Sequence, residues 1–178
     1  GHGGSACFTP PVNPFPIVIG YTSQIAWVNP ATLAHTPFIT GLFSMSLGPE
    51  GVLGVGGVSV NGGRILAQIG ATPQETPPTS TIGQAQAGRL ISVHPNGTWR
   101  SVARVGAKDY KFTLGFTVPT QGVYSPGTQE HDANPTSVLA TREGAFVADS
   151  DSNPRDYIDR DGKIKIQRYD GGGDANPN

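Results

Sequence analysis

The chain has 178 residues, a net charge of −1 and 36% hydrophobic residues, with 25 glycines and 16 prolines. That composition suits one domain with a thin core and excludes collagen, long helices and a basic surface for nucleic acid or anionic membrane. No apolar run reaches the length that crosses a bilayer as a helix.

Charge is unevenly distributed. No Asp, Glu, Lys or Arg precedes Glu50, and eleven of the thirteen acids lie at or after Asp109. An uncharged run of 49 residues is a poor solvent-facing surface. It reads either as Gly/Pro/Thr-rich loop or as surface covered by partner subunits or glycans. The single cysteine, Cys7, cannot close an internal disulfide. It is a free thiol or half of a bridge to a partner outside this chain.

In chain order, the first element is a strand pair over residues 14–40, with Ile25-Ala26-Trp27-Val28 leading through a turn to Phe38-Ile39. Leu47 to Val55 then reads as strand, Glu50-Gly51 turn, strand. Residues 56–87 read as a long insertion whose Thr72 to Thr81 stretch is rich in Pro, Thr and Ser. Gly88 to Val102 forms the next strand pair, around Asn96-Gly97. After a connection at 106–136, Leu139 to Asp149 turns at Glu143-Gly144, and Arg155 to Ile166 turns at Asp161-Gly162. Asn-Gly and Asp-Gly between alternating apolar residues are hairpin signals, because tight turns need residues that tolerate φ > 0.

These pairs repeat. Asp132-Ala133-Asn134-Pro135 returns as Asp174-Ala175-Asn176-Pro177, 42 residues later, the spacing of β-propeller blades. The expected fold is therefore all-β, with propeller blades of four-stranded antiparallel sheets joined by long Gly/Pro-rich loops. Residues 1–178 then make one partial propeller domain of about two and a half blades. They are a half-blade at 14–40, a blade at 43–105 carrying the 56–87 insertion, a blade at 137–170, and a tail at 171–178 that opens another. Propellers close with four blades or more. The blades not accounted for belong to a longer chain or to other copies.

Several segments carry a family resemblance. Asp132 to Ala140 followed by Phe146-Val147-Ala148-Asp149-Ser150-Asp151-Ser152-Asn153 resembles the D-S-N-P-x-x-x-L-A … V-A-D-A-x-x-N pattern of the scytonemin-biosynthesis ScyD/ScyE family. Gly88 to Arg100 resembles its G-x-L-x-x-V-x-P-x-G-x-W-R segment, Gly1 to Phe8 its G-E-G-G-x-x-C-F, and Ile39 to Leu42 its V-T-G-L-P. The resemblance implies an NHL/lactonase-like six-bladed propeller exported from the cytoplasm, without established catalysis, of which this chain is a partial copy. It also makes Asn134 a candidate residue of the central channel, where lactonase-type propellers gather polar metal ligands.

Candidate sites are few. Asp149-x-Asp151-x-Asn153 has the spacing that opens a calcium loop, but Pro154 and Arg160 stand where an EF-hand needs Gly and Glu. The three residues either hold Ca²⁺ less formally or form an Asx-turn network. Asn96-Gly97-Thr98 is an N-glycosylation sequon on a turn, and Thr72, Thr76, Thr79 and Thr81 are candidate O-glycan sites. His2, His35, His94 and His131 match no catalytic triad spacing.

Two functions follow. The first is a secreted structural or interaction propeller, extracellular, periplasmic or at the cell surface. Its partners are other copies or the rest of a longer chain, together with glycans, with no nucleic acid and no membrane insertion. The alternative is a metal-dependent lactonase-like hydrolase or a small-molecule-binding propeller.

Overall fold

The structure is a computed structural model that describes residues 6–8, 16–119 and 128–169. The fold is all-β. Strands β1 (Ala6–Phe8), β2 (Ile17–Val28), β3 (His35–Ser46) and β4 (Val52–Leu53) make the first sheet. Strands β5 (Val55–Asn61), β6 (Arg64–Ile69), β7 (Arg89–Val93) and β8 (Trp99–Arg104) make the second. Strands β9 (Pro135–Ala140), β10 (Gly144–Asp149), β11 (Pro154–Asp159) and β12 (Ile164–Tyr169) make the third. Each sheet is a four-stranded antiparallel meander built from one contiguous stretch of chain. Helix α1 (Thr81–Gln86) lies between β6 and β7, and α2 (Val105–Thr113) follows β8.

The second sheet is the middle layer. Side chains alternate along a strand, so its two faces serve two cores. Ile65, Ala67 and Ile69 of β6, with Ile91 and Val93 of β7, join Ile19, Leu42, Phe43 and Met45 of the first sheet. Leu66 and Leu90, with Ala103 and Val105, join Ala140, Ala145, Val147 and Ile158 of the third. A low apolar content suffices because one thin sheet is shared by both cores.

Glycines set how closely the layers approach. A Cβ on Gly56 would lie 2.5 Å from the Thr136 carbonyl oxygen, so β5 crosses β9 nearly backbone to backbone. Beyond the strand ends, Gly70 N–H donates to Gly54 O, Gly88 N–H to Gly70 O and Gly106 N–H to Gly88 O, at 2.7, 3.1 and 2.9 Å. This row of glycines carries the ladder across the second sheet, and a side chain on Gly106 would strike Gly88 and the Ala71 carbonyl.

The unit expected at 137–170 coincides with the third sheet, Pro135–Tyr169, while the boundaries of the two earlier units differ from those expected. The strand pair of residues 14–40 is the middle of a full four-stranded sheet and extends to Ser46. The supposed strand–turn–strand at 47–55 is a 3-10 turn (Gly48–Glu50) with the two-residue β4. The supposed insertion at 56–87 holds β5, β6 and α1. Gly56 and Gly57 look like loop residues, yet they are strand residues made small by the neighbouring backbone. The connection at 106–136 contains most of α2. The described residues thus hold three four-stranded sheets in place of two and a half. The second Asp-Ala-Asn-Pro copy and the tail at 171–178 lie outside the described residues.

Candidate functional site

Acidic side chains converge where α2, the loop at 128–134 and one end of the third sheet meet. Asp149 ends β10 and is buried. Its Oδ1 accepts the N–H groups of Asn134, Asp151 and Ser152, at 3.0, 3.0 and 2.8 Å. That is an Asx-turn network: one carboxylate oxygen satisfies two amides of the turn from β10 into β11 and ties in the Asn134 amide that precedes β9. Ser150 Oγ donates to Asp151 Oδ1, and the Asn153 side-chain amide donates to the Asp151 carbonyl. Asn153 itself sits at φ 61°, a left-handed conformation that Asn tolerates.

Asn134 ties two sheets together. Its Oδ1 accepts the Ala71 N–H at 2.9 Å, across to the loop after β6. Its carbonyl accepts both the Ser150 N–H and the Ser150 hydroxyl, each at 3.1 Å. The residue proposed for a channel is 8% exposed, and its side-chain oxygen is spent on a backbone amide.

Beneath this network lie Asp109 of α2 and Asp156 of β11, both fully buried. No N–H or hydroxyl among the described residues reaches any of their four carboxyl oxygens, nor Asp149 Oδ2. Ionising both would leave unpaired buried charges, which costs several kcal/mol or more. A shared proton resolves this. Burial first, then the charges of Asp156 and Asp149, push the Asp109 carboxyl up to about 10. As a neutral acid at pH 7 it donates to its neighbours. Burial also raises Asp156, to about 6, while the hydrogen bond from Asp109 works in the other direction. Asp132 rises to about 6 through burial, then the Asp151 charge. Nothing in the sequence singles out Asp109, because its partners lie some forty residues further on.

Calcium does not fit Asp149, Asp151 and Asn153. Asp149 Oδ1 already holds three amides, and Asn153 turns its NH₂ toward a carbonyl. Among the described residues no three His, Cys, Asp or Glu side chains are placed to hold a metal ion. His131 meets the Phe116 carbonyl through Nε2 at 3.1 Å. His35 and His94 lie apart from it, on β3 and after β7, and His2 is outside the described residues.

The glycan candidates divide. Asn96 and Thr98 are exposed on the β7–β8 turn, where Asn96 Oδ1 accepts the Thr98 N–H and hydroxyl at 3.1 and 2.7 Å. Thr79 and Thr81 are exposed as well. Thr72 and Thr76 are buried at 0% and 4% exposure, so neither presents a hydroxyl for O-glycosylation. The Thr72 to Thr81 stretch is folded: Thr76 Oγ1 donates to Pro73 O, and Gln84 Nε2 donates to Pro73 O and to Thr76. Ser80 Oγ caps α1 by accepting the Gly83 N–H. Cys7 is exposed on β1 and unpaired within the chain.

Comparison of the chain with protein-family models, with curated proteins and with solved structures finds no match in any of the three.

Proposed function

We propose that the chain is a β-propeller module of the ScyD/ScyE kind that works outside the cytoplasm by assembly. The observation that carries this reading is the outer face of the third sheet. Leu139 and Phe146 are 60% and 43% exposed there. The Phe146 ring meets the Tyr157 ring at a 53° tilt with centroids 5.3 Å apart, beside a groove of about 310 Å³ bordered by Val138, Ala148 and Arg155. The middle sheet is covered on both faces, while among the described residues nothing covers Leu139 and Phe146 on this face, where Ser137 and Arg155 border them. Its natural cover is another sheet of the same kind, from a second copy or from more of the same polypeptide.

The long β2–β3 hairpin supports the same reading. β1 pairs β2 only at Ile17 to Ile19, and β4 pairs β3 only at Met45 and Ser46. Beyond these, among the described residues, the hairpin edges meet no further strand, and Trp27, Val28 and Leu33 are exposed near its tip. Open edges are templates for another chain.

Sedimentation velocity over a range of concentrations tests assembly. The wild-type chain is expected to self-associate, and Phe146→Glu to shift it toward monomer with an unchanged circular dichroism spectrum. A wild-type chain that stays a compact monomer at every concentration removes self-assembly as the reading. Glycosylation at Asn96 has its own check. Secreted from eukaryotic cells, the chain is expected to gain the mass of one N-glycan, which Thr98→Ala abolishes.

A further inference from the structure

At the end of the third sheet opposite the acidic cluster, a cavity of about 360 Å³ opens between the hairpin turns of the second and third sheets. Four of the chain's eight arginines line it: Arg64, Arg100, Arg142 and Arg160, with Thr141 and Asn61. They come from four elements. Arg64 begins β6, Arg100 sits on β8, Arg142 lies in the β9–β10 turn and Arg160 in the β11–β12 turn.

Two of these guanidinium groups, those of Arg64 and Arg160, are held by backbone carbonyls without being neutralised. Arg64 Nη2 donates to the Thr141 and Gly144 carbonyls. Arg160 donates through Nε and Nη2 to the Arg142 carbonyl, at 3.1 and 2.6 Å. Backbone carbonyls orient the forks but carry no charge. Among the described residues, Arg64, Arg100 and Arg160 meet no carboxylate at ion-pair distance. Arg142 pairs with Glu143 at 3.4 Å in an exposed contact that solvent screens. Asp159, at the foot of the same turn, spends Oδ1 on the Asp161 and Lys163 amides.

Four like charges around one cavity repel one another, and the chain carries no general excess of positive charge to explain the cluster. Their planar forks match tetrahedral and planar oxyanions, which accept two parallel N–H bonds from one arginine. The cavity is of ligand size. We propose that it binds a small ligand bearing two or more closely spaced oxyanion groups, a phosphate-type polyanion or a sulfated saccharide unit. Arg64 and Arg160 are fixed donors there, and Arg100 and Arg142 are the arms that close on the ligand. This site is separate from the apolar face, and its occupancy does not depend on assembly.

Calorimetric titration at low salt with inorganic triphosphate, and separately with a sulfated disaccharide, tests the proposal. At least one probe is expected to bind. Preference for the first identifies phosphate chemistry, and preference for the second a sulfated sugar. Arg100→Ala removes an exposed side chain that makes no hydrogen bond among the described residues, so the fold is retained. It should weaken binding by about tenfold. Arg142→Ala should do likewise. Arg89→Ala, which removes a charge outside the cavity, should leave affinity within about twofold. Failure of both probes to bind, or an Arg89→Ala effect as large as that of Arg100→Ala, overturns the proposal.

Discussion

Asp109 pairs a fully buried carboxyl with acidic neighbours on β10 and β11, with Lys108 the only basic group acting on that cluster from α2. Its folded-state value lies above its unfolded one, so between 3.8 and about 10 the folded chain holds a proton that the unfolded chain has released. The unfolding free energy therefore falls as pH rises through that window. The slope is about 1.4 kcal/mol per pH unit for each full proton. Asp132 and Asp156 add to it between 3.8 and about 6. Thermal melts are expected to drop from pH 5 to pH 8. Asp109→Asn, a neutral isostere, should flatten that dependence and raise the melting point at pH 8. An unchanged slope in the variant would show that the proton sits elsewhere. The local half of this site was partly legible, since the Asp149-x-Asp151-x-Asn153 spacing left a loose calcium site or an Asx-turn network as the alternatives. Asp109 was not, because burial and charge between distant segments leave no local pattern. Thr72 and Thr76 misled for the converse reason: a Pro/Thr-rich composition resembles a solvated linker, yet Gln84 and Pro73 knit it into a cap.

At the scale of elements, hairpins with side-chain signals were readable and those made by backbone proximity were not. Asn96-Gly97 and Asp161-Gly162 do turn β7 into β8 and β11 into β12. In each, however, only the glycine has positive φ, 81° and 82°. His94 and Asp159 close three-residue loops, a type of turn in which one left-handed residue suffices. Strand β5 escaped notice because Val-Gly-Gly-Val scores as loop. Its glycines answer to β9, nearly eighty residues away, not to their own φ angles. Gly56→Ala is expected to destabilise the fold by about 1–3 kcal/mol or more in denaturant titration, since the opposing atom is backbone and cannot yield. Val58→Ala, on the same strand with a side chain 46% exposed, should cost only about 0.5 kcal/mol. Equal losses at the two positions would mean that β5 does not cross β9 at this distance.

For the whole molecule, the sequence pattern revealed the all-β class and the repeated four-stranded unit, because both rest on alternation and turn residues. It placed the first two units out of phase, since the count began at a hairpin that is the middle of a sheet, and matched only the unit at 137–170 to the third sheet. Among the described residues no helix is long and apolar enough to cross a membrane. The uncharged stretch before Glu50 has a partial physical account: Leu42 to Met45 are buried together and Ile17 to Gly20 nearly so. The exposed β2–β3 tip remains uncharged as well, in keeping with a surface meant to be covered.

Along β10 the chain runs from the arginine cavity to the acidic cluster, six residues or roughly 20 Å at the rise of a strand. A net charge of −1 conceals this separation. With Arg64 and Arg100 of the second sheet beside Arg142, Arg160 and Lys163, the hairpin-turn end carries five basic groups against Glu143, Asp159 and Asp161, while the other end holds the acidic cluster. Such a molecule is turned by a field before it touches anything, so an anionic partner meets it arginine end first. Its capture rate should then fall with ionic strength as that of a cationic protein does, although by total charge it is nearly neutral.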